Sequence, residues 1–268
     1  MDARTAAARF RQLHHTSTPL LLPNAWDAGS ARVVESCGAQ AIATTSAGLA
    51  WSRGYADGGA LPASVLLGAV AEIARVLSVP LSVDMEAGYG TEPAVIAENA
   101  FALASAGAVG INLEDGNDRP EVLCERIAAV KRGATRAGVD LFVNARTDVY
   151  LKALAPPERA VEESISRGLK YREAGADGLF VPAIVAPASI RQVVAAVPLP
   201  LNVLVWAKLP PVSELAGLGV HRVSTGSGIS SAVHGLTRRA ARQFLGGAGY
   251  EAIFEGAMPY AELNALFA

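Results

Sequence analysis

Eight short apolar runs, each ending in a polar residue, alternate along this chain with stretches of helical periodicity, and that alternation leaves few folds open. The runs cover residues 20–24, 41–45, 81–86, 110–115, 141–146, 178–183, 201–205 and 222–226. Between them the pattern predicts helices over 62–77, 93–106, 120–137, 156–174 and 187–197, each opening with the proline that suits a first helical turn. Several runs are apolar almost throughout, as expected of parallel strands covered on both faces. Eight strand–helix units in 268 residues predict an α/β fold, a (β/α)8 TIM barrel in one domain over 1–268, with a doubly wound open sheet as the alternative. Residues 246–268 are left over after the eighth helix and read as a C-terminal tail of two short helices able to pack on a neighbouring subunit.

A formal charge of −2 with no basic run gives no electrostatic reason to expect nucleic acid or a membrane surface as partner. The first ten residues lack the apolar core of a signal peptide, and no stretch approaches a membrane span, so a cytoplasmic location is expected. Cys37 and Cys124 are far apart in helical patterns, which argues against a disulfide.

In a barrel, chemistry belongs at the C-terminal ends of the strands, and the polar residues gather there: Asn24, Ser46, Asp84, Glu86, Glu114, Asp115, Asn144, Arg146, Asn202, Ser224 and Thr225. Singly, each suits a helix cap or a satisfied buried polar group. Together, several carboxylates and one arginine at one mouth call for a cation and an anionic ligand. Asp84 and Glu86 are two apart in Leu81-Ser82-Val83-Asp84-Met85-Glu86, so on one strand they would point the same way. With Glu114 they offer only oxygen, which favours Mg2+ or Mn2+ over Zn2+, with Asp84 as direct ligand. An ion pair of Glu86 and Glu114 with Arg146 is compatible with that. Ser46-Ala47-Gly48 offers backbone N–H groups to an anion, and Asp57 is either a turn residue or a reach towards metal-held water.

The blocks Pro23-Asn24-Ala25-Trp26-Asp27, Thr45-Ser46-Ala47-Gly48, Asp84-Met85-Glu86-Ala87-Gly88-Tyr89-Gly90, Asn112-Leu113-Glu114-Asp115 and Asn144-Ala145-Arg146-Thr147-Asp148 resemble, in order, the isocitrate lyase and phosphoenolpyruvate mutase superfamily. The resemblance implies Mg2+ at the barrel mouth, a homo-oligomer (a dimer of dimers exchanging the eighth helix), and a small carboxylate substrate. It implies Asp84 as direct metal ligand, with Asp57, Glu86 and Glu114 holding metal-bound water. Ser46, Ala47 and Gly48 would grip the substrate carboxylate, Arg146 would bind the oxo-acid, and Asn202 would contact substrate from the seventh strand. Asp57, Glu114 and Arg146 are the catalytic candidates.

The departures bear on the reaction. Family members that cleave isocitrate-type substrates carry a cysteine-bearing loop after the fourth strand, where this chain runs Glu114-Asp115-Gly116-Asn117-Asp118-Arg119-Pro120 straight into a helix. Cys124 lies inside that helix as a small apolar residue. The shortening leaves Asn117, Asp118 and Arg119 as candidate substrate contacts, and His221 and His234 read as surface or capping residues. The expected reaction is Mg2+-dependent C–C cleavage of a small 2-oxo or 2-hydroxy carboxylate through a pyruvate-enolate-like intermediate. The alternatives are C–P chemistry of the phosphonopyruvate type and an oxo-acid-binding barrel without turnover.

Overall fold

The computed structural model describes residues 2–268. Its strands are β1 (Leu20–Leu22), β2 (Asn24–Ala25), β3 (Ile42–Thr44), β4 (Leu81–Asp84), β5 (Ala108–Glu114), β6 (Phe142–Arg146), β7 (Gly178–Phe180), β8 (Leu201–Leu204) and β9 (Arg222–Ser224). All nine are parallel in one sheet of order β1-β9-β8-β7-β6-β5-β4-β3-β2. Eight expected runs become nine strands because Pro23, which has no N–H to give a ladder, splits the first. β1 pairs with β9 and β2 with β3, so the split run joins the two edges and curls the sheet into a nearly closed barrel. Asn24 stitches the seam. Its amide donates to Thr44 O at 2.7 Å, and its Oδ1 accepts from the N–H of Thr225 at 2.9 Å and of Gly226 at 2.8 Å. An open doubly wound sheet is thereby excluded.

Outside the barrel lie α2 (Ala28–Ser36), α3 (Ser46–Ser52), α4 (Ala63–Val76), α5 (Pro93–Ser105), α6 (Pro120–Ala137), α7 (Ala160–Glu173), α8 (Pro187–Ala196), α9 (Val212–Gly217) and α10 (Gly228–Leu245). Proline opens α5, α6 and α8 as expected, whereas the turn after Pro156 is a 3-10 turn, Pro157–Arg159. The tail forms α11 (Glu251–Phe254) and α12 (Tyr260–Ala265). No helix among the described residues is long and apolar enough to cross a membrane.

The periodicity missed α1 (Ala3–Leu13), which is capped by Asp2. Its Ala6, Phe10 and Leu13 pack on Leu20, Leu22, Val109 and Phe142 at the strands' N-terminal ends, closing the floor of the barrel. A Cβ on Gly110 would lie 2.6 Å from Phe10 Cε1, so the plug needs glycine there.

His14, just after α1, is buried with its ring stacked on Phe142 and its Nδ1 donating to Phe10 O at 2.8 Å. Burial, helped by the Arg222 charge, pulls the imidazole down to about 3 against the Phe10 hydrogen bond. The unfolded chain therefore takes up a proton below its ordinary value of 6.5 while the folded chain does not. The neutral ring's stabilising contribution is complete above pH 6.5 and is lost as pH falls towards 3, up to about 5 kcal/mol in all. In urea unfolding between pH 7.5 and 4, His14→Phe flattens the decline in stability; parallel declines in the two proteins would refute this.

Candidate active site

β4 ends at Asp84, so strand alternation does not bring Glu86 beside it. Met85 is buried and donates to Asn112 O at 3.1 Å, and Glu86 turns into the left-handed region at φ 46°. Such a conformation costs a side-chain-bearing residue about 1–2 kcal/mol, and its surroundings hold it in place. Gly88 sits at φ 108° where a Cβ would meet Ile96 Cγ2 at 2.6 Å. Asn99 Nδ2 donates to Gly88 O and Tyr89 O at 3.1 and 3.0 Å, and Tyr89 OH donates to Glu86 Oε1 at 2.6 Å. A fixed turn, not the pleat, presents the second carboxylate.

At the strands' C-terminal ends lies a cavity of about 160 Å³. Asn24, Ser46, Ala47, Asp57, Asp84, Asn112, Arg146 and Ser224 form its polar side, and Leu151, Phe180, Pro182, Leu204 and Trp206 line the rest. Glu86, Glu114 and Lys152 line a larger hollow of about 680 Å³. The two are linked by the ion pair of Arg146 Nη1 with Glu114 Oε2 at 2.7 Å. Arg146 Nε also donates to Asp148 Oδ1 at 2.7 Å, so two carboxylates, one at the end of β5 and one just after β6, fix its fork. Burial opposes the guanidinium's charge, but Glu114, Asp148 and Asp84 outweigh it and hold Arg146 above its usual value.

Asp148 is itself anchored. Its N–H donates to Asp115 Oδ1 at 2.9 Å, and Asp115 Oδ2 accepts from Arg167 Nη1 at 2.8 Å and Tyr171 OH at 2.6 Å, both on α7. Below the cavity, buried amides from three strands interlock: Asn144 Nδ2 donates to Asn112 Oδ1 at 2.9 Å and Asn202 Oδ1 at 3.1 Å.

Asp148 Oδ2 lacks a hydrogen bond, but Lys152 Nζ lies 3.3 Å from it; Asp84 differs. Its Oδ1 is buried with no hydrogen-bond partner, and its Oδ2 receives only a long 3.4 Å contact from Ser46 N–H. Burial, then Asp84 and Asp57 nearby, push the Glu86 carboxyl up against the Tyr89 hydrogen bond. Burial drives Glu114 up to about 7 despite Arg146 beside it, with Asp84 and Asp148 adding to the rise. An all-oxygen group of mutually repelling carboxylates, one with an orphaned buried oxygen, fits a hard divalent cation. No three acidic, histidine or cysteine side chains among the described residues form a ready cage.

Of the sequence candidates, Ser46, Ala47, Asp57, Asp84 and Arg146 thus meet in one cavity, and Glu86 and Glu114 stand beside it. Gly48 is buried where a Cβ would be 2.7 Å from Thr45 Cγ2 and 2.9 Å from Trp26 Cβ, a packing requirement. Asn202 lies inside the barrel, its amide spent on Val203 O and Ser224 Oγ, not on the cavity wall. Asn117 and Asp118 line the larger hollow, where Asp118 also pairs with Arg126 at 2.9 Å, and Arg119 caps α6. His221 and His234 lie off both, and Cys37 and Cys124 are free thiols. Sequence reasoning missed Asp148 and the apolar wall; Asp148 sits two residues beyond Arg146, which was the available signal.

The model of the phosphoenolpyruvate phosphomutase family matches residues 10–245. A Burkholderia cenocepacia structure described as a candidate phosphonomutase is 44% identical, with a TM-score of 0.82 over 88% of this chain and 98% of its own. A second structure from that organism, a candidate lyase/mutase, is 34% identical with a TM-score of 0.90 over 99% and 96%. The 2-methylisocitrate lyase of Bacillus subtilis is 28% identical over 81% of this chain and 74% of its own. The chain belongs to the phosphoenolpyruvate phosphomutase family, within the isocitrate lyase and phosphoenolpyruvate mutase superfamily of lyases and mutases.

Proposed function

We propose that the protein is a Mg2+-dependent lyase, with Mn2+ able to substitute, that breaks a C–C bond of a small 2-oxo or 2-hydroxy carboxylate through a pyruvate-enolate-like intermediate. The observation that carries this reading is the unpartnered buried Oδ1 of Asp84 in the same small cavity as Arg146 and the Ser46–Ala47 backbone. Asp84 would hold the metal, with Asp57, Glu86 and Glu114 on its waters, and when bound the ion supplies Lewis acidity towards the substrate's oxo group. The protein's own part is orientation and charge. The N–H groups of Ser46 and Ala47, at the start of α3 where no intrahelical acceptor exists, suit the substrate carboxylate. Arg146, held by Glu114 and Asp148, is pre-aimed at the negative charge that develops as the bond breaks. Asp57 and Glu114 would be the carboxylates that move a proton.

The test is a pyruvate-release assay across oxaloacetate, substituted malates, methylisocitrate and phosphonopyruvate. Turnover of one carbon substrate is expected, abolished by EDTA and restored by Mg2+. Absence of turnover throughout, with no Mg2+-dependent binding of oxalate, would overturn the reading. Similarity to the candidate phosphonomutase supports a second reading, C–P chemistry, for which phosphonopyruvate would be the preferred compound.

We also propose a homo-oligomer. Along α10 only Ser230 is buried, leaving Val233, Phe244 and Leu245 exposed, and Tyr260 in the tail is exposed too. On the barrel's outer face Leu21, Val34 and Val212 line an apolar groove of about 680 Å³. Light scattering is expected to give a dimer or tetramer, and a monomer at micromolar concentration would remove the proposal.

A further inference from the structure

The polar residues of the cavity account for half of a substrate, and the apolar residues beside them say what the other half is. Phe180 and Leu204 are the last residues of β7 and β8, and Trp206 follows β8 with 48% of its surface exposed, placing the indole at the rim. Leu151 and Pro182 complete this apolar face. Among the described residues Arg146 is the one cation lining the cavity, and it is already shared between Glu114 and Asp148. Lys152 lines the other hollow, 3.3 Å from Asp148. The Arg146 guanidinium lies over the Phe180 ring, 5.8 Å from its centroid, with its charge already taken by two carboxylates, so a second anionic group laid against Leu204 and Trp206 would find no free cation and would bind poorly.

We infer that the half of the substrate released on cleavage is uncharged and apolar. The substrate class is then a 4-hydroxy-2-oxo acid with an alkyl substituent at C4, split into pyruvate and an apolar aldehyde or ketone. This rests on the lyase reading given above. The step needs no co-reactant. The C3–C4 bond breaks and its electron pair stays on C3 as the pyruvate enolate. The C4 hydroxyl gives its proton to the Asp57 carboxylate and becomes the carbonyl, and that proton then returns to C3. Carboxylate and oxo groups sit between Arg146 and the Ser46–Ala47 backbone, and the alkyl group sits on Trp206.

Pyruvate release from 4-hydroxy-2-oxo acids carrying methyl, isopropyl or carboxylate at C4, measured with Mg2+ present, tests this. In the wild type, kcat/KM is expected to rise about tenfold or more from methyl to isopropyl and to fall at least about 100-fold for the carboxylate. Trp206→Ala is expected to bring the methyl and isopropyl compounds within a few fold of each other. Binding supplies a readout independent of turnover: the unreactive 4-methyl-2-oxopentanoate should quench tryptophan fluorescence in the wild type and not in Trp206→Ala, whose melting temperature reports folding. A carboxylate compound cleaved as well as the alkyl ones overturns the inference and leaves the lyase reading standing. Pyruvate from none of the three overturns the inference, and the lyase reading is then decided by the oxaloacetate, malate and methylisocitrate panel given above. Should Trp206→Ala not fold, the wild-type preference and quench decide alone.

Discussion

Asp84→Ala abolishes Mg2+-dependent pyruvate release, a loss of about 10³-fold or more, while the melting temperature of the metal-free protein stays within a few degrees of wild type. A metal acting as Lewis acid stabilises the transition state by several kcal/mol, and each 1.4 kcal/mol is about tenfold in rate. The small effect on stability follows from what the carboxylate does in the fold, which is little. Its Oδ1 has no partner and its Oδ2 has one 3.4 Å contact, while the hydrogen bond from the Asp84 backbone N–H to Thr44 Oγ1 survives truncation. Removing the charge relieves Glu86 and Glu114, which it pushes upward, and deprives the buried Arg222 of an opposite charge, so the two effects offset. Turnover and thermal melting of the variant, with and without Mg2+, check this. A fall of many degrees with turnover retained would make Asp84 a structural residue.

Much of the architecture is legible because it rests on local signals. Apolar runs with polar ends gave the strands, and prolines at the starts of α5, α6 and α8 marked helix entries. Ser46, Asp84 and Arg146 were within reach for the same reason: a barrel carries strand-end residues to one mouth whatever their separation in sequence. What escaped depends on non-local contact. Alternation by two assumes that the strand continues, and the turn at Glu86 depends on Asn99, thirteen residues on, and on Ile96 beside Gly88. Asn202 is the second residue of β8, not its last, and it faces the interior, where Asn144 and Ser224 engage its amide. α1 plugs the barrel through Phe10 against Gly110 and Phe142, partners far along the chain that its own sequence does not announce.

Asp115→Ala is expected to do the reverse of Asp84→Ala, lowering the melting temperature by roughly 10 °C. Asp115 is buried like the metal-ligand candidate, but both its oxygens are engaged: it accepts from Asp148 N–H, Arg167 Nη1 and Tyr171 OH at 2.9, 2.8 and 2.6 Å. Truncation leaves three donors without their acceptor, one of them a guanidinium whose remaining carboxylate partner is Glu163 at 2.7 Å. Breaking a buried pair by removing one member costs about 3–5 kcal/mol, and in a protein of this size each kcal/mol is worth about 2–4 °C. Asp115→Asn keeps an acceptor for Asp148 N–H but turns a donor towards Arg167 or Tyr171, so its melting temperature falls between those of alanine and wild type. Activity declines by a different route from that in Asp84→Ala. With Asp115 gone, Asp148 loses its anchor and Arg146 one side of its clamp, so KM for the oxo-acid rises and Mg2+ affinity does not change. Calorimetric Mg2+ titration beside KM measurements separates the two, and a loss of Mg2+ affinity equal to that of Asp84→Ala would refute the assignment. Both carboxylates are buried and both stand at strand ends; what distinguishes them is that both oxygens of Asp115 have protein donors from elements it must hold, whereas Asp84 keeps an oxygen for which the folded chain supplies none.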